Sequence, residues 1–253
     1  VEVLADLIRP DTTLISIMAV NNEIGSIQPI EAISKLLADK PTISFHVDAV
    51  QALAKIPTEN YLTDRVDFAT FSSHKFHGVR GVGFVYIKSG KRIMPLLTGG
   101  GQEGDYRSTT ENVAGIAATA KALRLAMEKL DIFASKTGQM KAVIRQALLD
   151  YPDIFVFSDE EDFAPHILTF GIKGVRGEVI VHAFEDYDIF ISTTSACSSK
   201  AGKPAGTLIA MGVNKDKAQS AVRLSLDLEN DMSQVEQFLT KLKLIYNQTR
   251  KVR

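Results

Sequence analysis

Tryptophan is absent from this chain of 253 residues, and cysteine occurs once, at position 197. A single thiol forms no internal disulfide, so a disulfide-stapled scaffold is excluded. No charged n-region, apolar h-region and cleavage site open the chain, and the cytoplasm is the expected location. Neither sign of charge is in excess: 29 Lys and Arg face 30 Asp and Glu, a net charge of -1. With no global positive field, direct nucleic-acid binding is not expected. Long apolar runs are missing too. The stretch from Leu14 to Val20, interrupted by Ser16, falls far short of the roughly 18 apolar residues of a membrane helix, so no membrane association is expected. No His and Cys cluster has zinc spacing, and no metal site is expected. What is present is ordinary globular composition, 45% hydrophobic and 23% charged. That length buries a substantial core as one large α/β domain or two smaller ones.

Apolar periodicity gives the order of elements. Val3, Leu4, Leu7 and Ile8 lie on one helical face, and that helix ends before Pro10, because proline disfavours helical backbone in the residue before it. The chain opens at Val1 rather than Met, which reads as a truncated or processed start. Strands are predicted at Leu14 to Val20, Thr42 to Val47, Val66 to Phe71 and Val82 to Ile87, with a helix after Pro29. This alternation is the pattern of a mainly parallel sheet. A polar, glycine-rich loop from Leu96 to Asn112 precedes an Ala-rich helix expected to link two domains. Beyond it come strand Ile167 to Ile172, helix Glu178 to Asp186 and strand Ile189 to Ser192. A polar loop around Cys197, a short helix, strand Val222 to Leu226 and a terminal helix from Ser233 complete a smaller α+β domain.

Open α/β sheets gather functional groups just outside the carboxyl ends of their strands, where Asn22, Asp48 and Lys75 are expected. Lys75 follows an apolar strand in Ser72-Ser73-His74-Lys75. It is either a surface lysine in a turn or an amine placed to form an imine, which needs its neutral form. Asp48, at the neighbouring strand end, is either a helix cap or a carboxylate facing a protonated pyridine nitrogen. The second role is the tuning that makes pyridoxal phosphate (PLP) an electron sink. Two such residues on consecutive strand ends favour the cofactor reading of both. His46 reads as a satisfied core histidine, and His74 as a possible phosphate contact. Gly99-Gly100-Gly101 lacks P-loop spacing and reads as a flexible turn. Arg107-Ser108-Thr109-Thr110, just before a helix, is an anion site, a helix cap, or both. Cys197, among small polar residues with Lys200 and Lys203 nearby, is either a reactive thiolate or a bystander.

The ordered motifs resemble those of the cysteine desulfurases. They are Ser16 to Gly25, His46-Val47-Asp48-Ala49-Val50-Gln51, Ser72 to Lys75, Gly99 to Glu103, Arg107 to Asn112 and Ser195-Ala196-Cys197-Ser198. The resemblance is to the long-loop branch of the PLP-dependent class V aminotransferase superfamily, and it covers essentially the whole chain. It implies an aspartate aminotransferase-like fold, with residues 1–129 as a truncated large PLP-binding domain and 130–253 as a small domain carrying the cysteine loop. By resemblance, Lys75 is the imine lysine and proton-transfer base, and Asp48 partners the ring nitrogen. Gln51 and Asn22 lie around the phenolic oxygen, and Ser72 and His74 bind the phosphate. Thr110 is lent to the partner subunit's phosphate in a homodimer, Arg223 clamps the substrate carboxylate beside Asn22, and Cys197 takes up sulfur. The implied reaction turns L-cysteine into L-alanine and leaves a persulfide for an acceptor protein, a cluster scaffold or a tRNA-thiolation enzyme. A selenocysteine lyase, another β-eliminating relative and a non-catalytic fragment stay open. Thr109 and Thr194 stand where the family often has Gly, and the family's N-terminal stretch, with its ring-stacking His, has no counterpart here.

Overall fold

The computed structural model of the chain describes residues 1–159, 161–194 and 206–251. The backbone divides into two compact units, Val1–Val20 with Gln28–Leu130, and Asn21–Ile27 with Asp131–Arg253. Cys197 and its Ser195 to Ser198 motif lie outside the described residues. Among the described residues no helix is long and apolar enough to cross a membrane.

The first unit holds α1 (Glu2–Leu7), β1 (Leu14–Met18), α2 (Ile30–Leu36), β2 (Ser44–Asp48), β3 (Phe68–Ser72), β4 (Gly83–Ile87) and α3 (Val113–Met127). Its sheet has the order β1-β2-β3-β4. Strand pairing is parallel from β1 to β3 and antiparallel between β3 and β4. The antiparallel pair has a simple cause: residues 73–82 are too few for the dozen or more that a parallel crossover needs. In β2, Phe45 and Val47 are fully buried while Ser44 and His46 are half-buried. In β3, Ala69 and Phe71 are buried between half-exposed neighbours. This period-2 alternation buries one face of each strand, and Ile15, Ile33 and Leu37 of the same unit are buried as well. The apolar face of α1 is not part of that core, since Val3 and Leu7 are exposed.

The start of the central pair is pinned by Asp67. Its backbone N–H donates to Phe45 O and its Oδ2 accepts from Phe45 N, both at 2.9 Å. Arg65 Nη1 and Lys91 Nζ lie 2.8 and 3.2 Å from the same carboxylate. Arg65 also donates to Leu37 O, Lys40 O and Ile43 O. This network sets the register that places Asp48 opposite Thr70.

The second unit holds α4 (Leu130–Leu149), β5 (Ile154–Val156), β6 (Ile167–Ile172), α5 (Gly177–Glu185), β7 (Ser192–Thr193), α6 (Gly206–Ala210), α7 (Lys215–Gln219), β8 (Ala221–Ser225) and α8 (Met232–Lys251). Its antiparallel sheet runs β5-β6-β8-β7. Every residue of β6 is buried. Phe184 of α5 stacks on Phe238 of α8 at 4.9 Å, and Phe170 of β6 meets Phe238 edge-on. The strand expected at Ile189 to Ser192 is only the two-residue β7. The reason is local: Asp188 takes a left-handed φ of 58°, and Ile189 N donates back to Phe184 O at 3.1 Å. Ile189 is thus used in closing α5, and pairing with β8 begins only at Ser192.

Residues 21–27 pack with this second unit. Asn21 Oδ1 accepts from Glu23 N and Ile24 N, a tight side-chain-closed turn. Ile24 is buried with Leu208, Ala218 and Ala221. Its carbonyl accepts from Ser158 Oγ, and the Glu23 carbonyl accepts from Thr169 Oγ1. Gly25 has φ of 82°, and a Cβ there would lie 2.8 Å from Ile167 Cβ, so only glycine fits.

Candidate active site

Two adjacent parallel strands end side by side in the first unit. Asp48 closes β2, Ser72 closes β3, and a 3-10 turn over Ser73–Phe76 follows at once. The turn exposes His74 and Lys75 and buries Ser73 and Phe76. Among the described residues, none hydrogen-bonds or ion-pairs with the Lys75 side chain. Asp48 is also exposed, and its Oδ1 accepts from Val50 N at 3.0 Å. That bond starts the turn leading to Gln51, which is half-buried. Asp48, Gln51, Ser72, His74 and Lys75 therefore cluster at the carboxyl ends of β2 and β3.

His46 sits on the same face of β2 as Asp48, two residues earlier. Its Nδ1 is 2.7 Å from Ser16 Oγ of β1, and its Nε2 is 3.1 Å from Thr70 Oγ1 of β3. A neutral imidazole has one donor and one acceptor, so both ring nitrogens are satisfied by hydroxyls. Burial pushes the His46 pKa below its ordinary value, and the nearby Asp48 carboxylate only partly opposes this. His46 is thus satisfied as expected, but it is not a core residue: it is half-buried on the face opposite the buried Phe45 and Val47.

The segment after the glycine turn also lies in the first unit. Gly101 N donates to Ser108 Oγ at 3.3 Å, and Arg107 Nη1 donates to Thr109 Oγ1 at 2.8 Å. Thr110 is exposed. Asn112 Oδ1 accepts from Gly115 N, capping α3. Thr109 therefore adds a contact that glycine would lack at that position. Ser73 and Thr119, which sequence reasoning passed over, share a buried hydroxyl contact of 2.9 Å.

Asn22 and Arg223 belong to the second unit, and the structure brings them together. Arg223 Nη1 donates to the Asn22 carbonyl at 2.7 Å. Arg223 lies on β8 opposite both Thr169 and Ser192. Cys197 is outside the described residues, so its surroundings are not part of this geometry. Among the described residues no group of three His, Cys, Asp or Glu side chains is placed to hold a metal ion.

The donor set in the first unit suits PLP. It offers an exposed amine, a carboxylate on the adjacent strand end, and hydroxyl and imidazole groups in the same turn. An aldehyde, a ring nitrogen and a phosphate need these groups. The comparisons agree with this chemistry. Residues 1–238 match the aminotransferase class-V family, which is PLP-dependent. A NifS/IcsS protein homolog from Lactobacillus delbrueckii subsp. bulgaricus is 52% identical over 243 residues, covering 96% of this chain and 63% of that protein. A cysteine desulfurase IscS from Clostridium botulinum is 36% identical over 256 residues, covering 100% of this chain and 64% of that protein. Among solved structures, a NifS-like protein superposes with a TM-score of 0.87 at 37% identity, over 97% of this chain and 64% of that one. The chain thus spans less than two thirds of the length of these relatives. Its strand-end chemistry, its PLP-transferase fold and its matched sequence place it in the class-V aminotransferase family.

Proposed function

We propose that the protein is a cysteine desulfurase, converting L-cysteine to L-alanine and retaining the sulfur as a persulfide on Cys197. The observation that carries this reading is the placement of Asp48 at the end of β2 and of Lys75 in the turn that follows the adjacent parallel strand β3, in a chain similar to cysteine desulfurases. PLP, when bound, supplies an electron sink for the pair of electrons left when the substrate loses its α-proton. Lys75 holds the cofactor aldehyde and, once released as a neutral amine, takes that proton. Asp48 keeps the ring nitrogen protonated by charge. Ser72 and His74 bind the phosphate. Gln51 and Asn22 orient the phenolic oxygen, and Thr110 reaches the phosphate of a second copy in a homodimer. Arg223 holds the substrate carboxylate, a planar fork suited to bidentate contact. Its bond to the Asn22 carbonyl supports that role by tying the guanidinium to the loop that bears Asn22.

Cys197 acts as a thiolate nucleophile on the substrate sulfur. A sulfur–sulfur bond forms, the substrate carbon–sulfur bond breaks, and the carbon keeps the electron pair and is then protonated. The products are alanine and the Cys197 persulfide, so no external oxidant or reductant enters the step. A cytoplasmic sulfur-acceptor protein, such as a cluster scaffold or a tRNA-thiolation enzyme, then removes the outer sulfur. The test is stoichiometric. With PLP and L-cysteine, alanine should appear together with a one-sulfur mass gain on the peptide holding Cys197. In Cys197→Ala the mass gain and sulfur delivery should both vanish. Full sulfur transfer in that variant, or turnover of selenocysteine but not cysteine, would overturn the reading.

A further inference from the structure

The geometry points to Thr119, on α3, as a positioning residue that aims the Lys75 turn through a buried hydrogen bond to Ser73. The inference rests on the reading of Lys75 as the cofactor lysine. Because His74 and Lys75 are both exposed, their direction depends on how the turn itself is held. The contacts converge on Ser73. Its N–H donates to Val82 O, its carbonyl accepts from Gly78 N, both at 3.0 Å, and its Oγ lies 2.9 Å from Thr119 Oγ1. Thr119 spends its own hydroxyl proton on Gly115 O at 2.8 Å, so Ser73 is the donor in the pair. Ser73 is fully buried and Thr119 is 6% exposed, which leaves no solvent to replace either partner.

The backbone around the pair has little freedom. A Cβ at Gly78 would fall 1.9 Å from Ser73 Oγ, and His77 is left-handed with φ of 64°. Phe76 is buried and meets Phe84 edge-on at 6.5 Å. With the turn pinned at Ser73, the remaining variable is the helix it is pinned to. That helix begins at Val113, directly after the segment carrying Arg107, Thr109 and Thr110. One hydroxyl pair thus joins the turn that carries Lys75 to the helix that follows the segment carrying Arg107 and Thr110. Nothing in the local sequence advertises it, because Ser73 and Thr119 are neutral, buried and far apart in the chain.

The test uses the PLP-loaded protein and its visible absorbance band, titrated over pH and over PLP concentration. Thr119→Val keeps the shape and removes the acceptor, leaving the Ser73 hydroxyl unsatisfied in the core. We expect about a 10-fold weaker PLP affinity, equivalent to about 1.4 kcal/mol, and a moved pH midpoint of the band. Thr119→Ser should restore both. Ser73→Ala removes the same bond without stranding a hydroxyl, and it should reproduce the moved midpoint even if Thr119→Val does not fold. A general loss of stability would lower the urea midpoint but leave the pH midpoint of the folded, loaded protein in place. An unchanged pH midpoint and PLP affinity in Ser73→Ala would overturn the inference. Lys75→Ala is the separate control: a band that persists in it overturns the reading of Lys75 itself.

Discussion

Removing the Asp67 carboxylate should destabilise the first unit and loosen the strand ends that carry Asp48 and Lys75. Asp67 is 2% exposed and serves three donors, Phe45 N, Arg65 Nη1 and Lys91 Nζ. Asp67→Ala orphans the Phe45 N–H, worth about 1–3 kcal/mol when buried, and leaves the half-buried Arg65 without its counter-charge. Breaking a buried pair by deleting one partner costs about 3–5 kcal/mol. Arg65 retains the carbonyls of Leu37, Lys40 and Ile43, and Lys91 is partly exposed, so the low end, about 3 kcal/mol, is expected. The urea midpoint should then fall by about 1 M or more, with PLP affinity falling in parallel. Burial raises the Asp67 pKa, but the bonds from Phe45 N–H, Arg65 and Lys91 outweigh it and hold the carboxyl below its ordinary value. A depressed folded pKa gives stabilisation that is present above the unfolded value of about 3.9 and is lost as pH falls through the folded one. Asp67→Ala should lack that part of the acid loss. A variant within about 0.5 kcal/mol of the parent, a typical surface-substitution effect, would refute the assignment of the register to this network.

Three further outcomes follow from other parts of the structure. Lys141 is buried, with Nζ on Ala164 O at 2.9 Å. Burial and then repulsion from Arg145 bring its pKa down to about 8. The folded state therefore releases this proton first, and stability should rise between about pH 8 and the unfolded value near 10.4, a rise absent in Lys141→Met by thermal melts over pH. Gly78→Ala should cost about 1–3 kcal/mol from overpacking against Ser73, and Ser73→Ala in the same chain should recover part of it by urea unfolding, since Oγ is the nearest atom met. Arg223→Lys should raise the cysteine KM by about 10-fold or more through loss of the planar fork. It should also speed amide exchange at residues 21–24, because the bond to Asn22 O is lost.

Much of the fold was legible where a local pattern decided it. The apolar run Ile167 to Ile172 coincides with β6, and the run Thr42 to Val47 covers most of β2, Ser44–Asp48. Ile189 to Ser192 misled because an apolar run does not reveal a left-handed aspartate that turns the chain first. The break between α3 and α4, at Glu128 and Lys129, has no proline or glycine to mark it. Strand ends identified Asp48, Ser72 and Lys75 as neighbours, since consecutive parallel strands place their carboxyl ends together. The packing of residues 21–27 with the second unit was hidden, because Ile24 and Glu23 find partners such as Ser158, Thr169 and Leu208 far along the chain. The Ser73 and Thr119 pair was hidden for the same reason.

The central claim, that Lys75 is the residue on which the cofactor is carried, is tested most directly by trapping the bond. The protein is loaded with PLP, reduced with borohydride, digested and mapped by mass spectrometry. A single pyridoxyl-modified site at Lys75 is the result this account predicts, with the label lost in Lys75→Ala. A label on any other lysine, with Lys75 recovered unmodified, would contradict it.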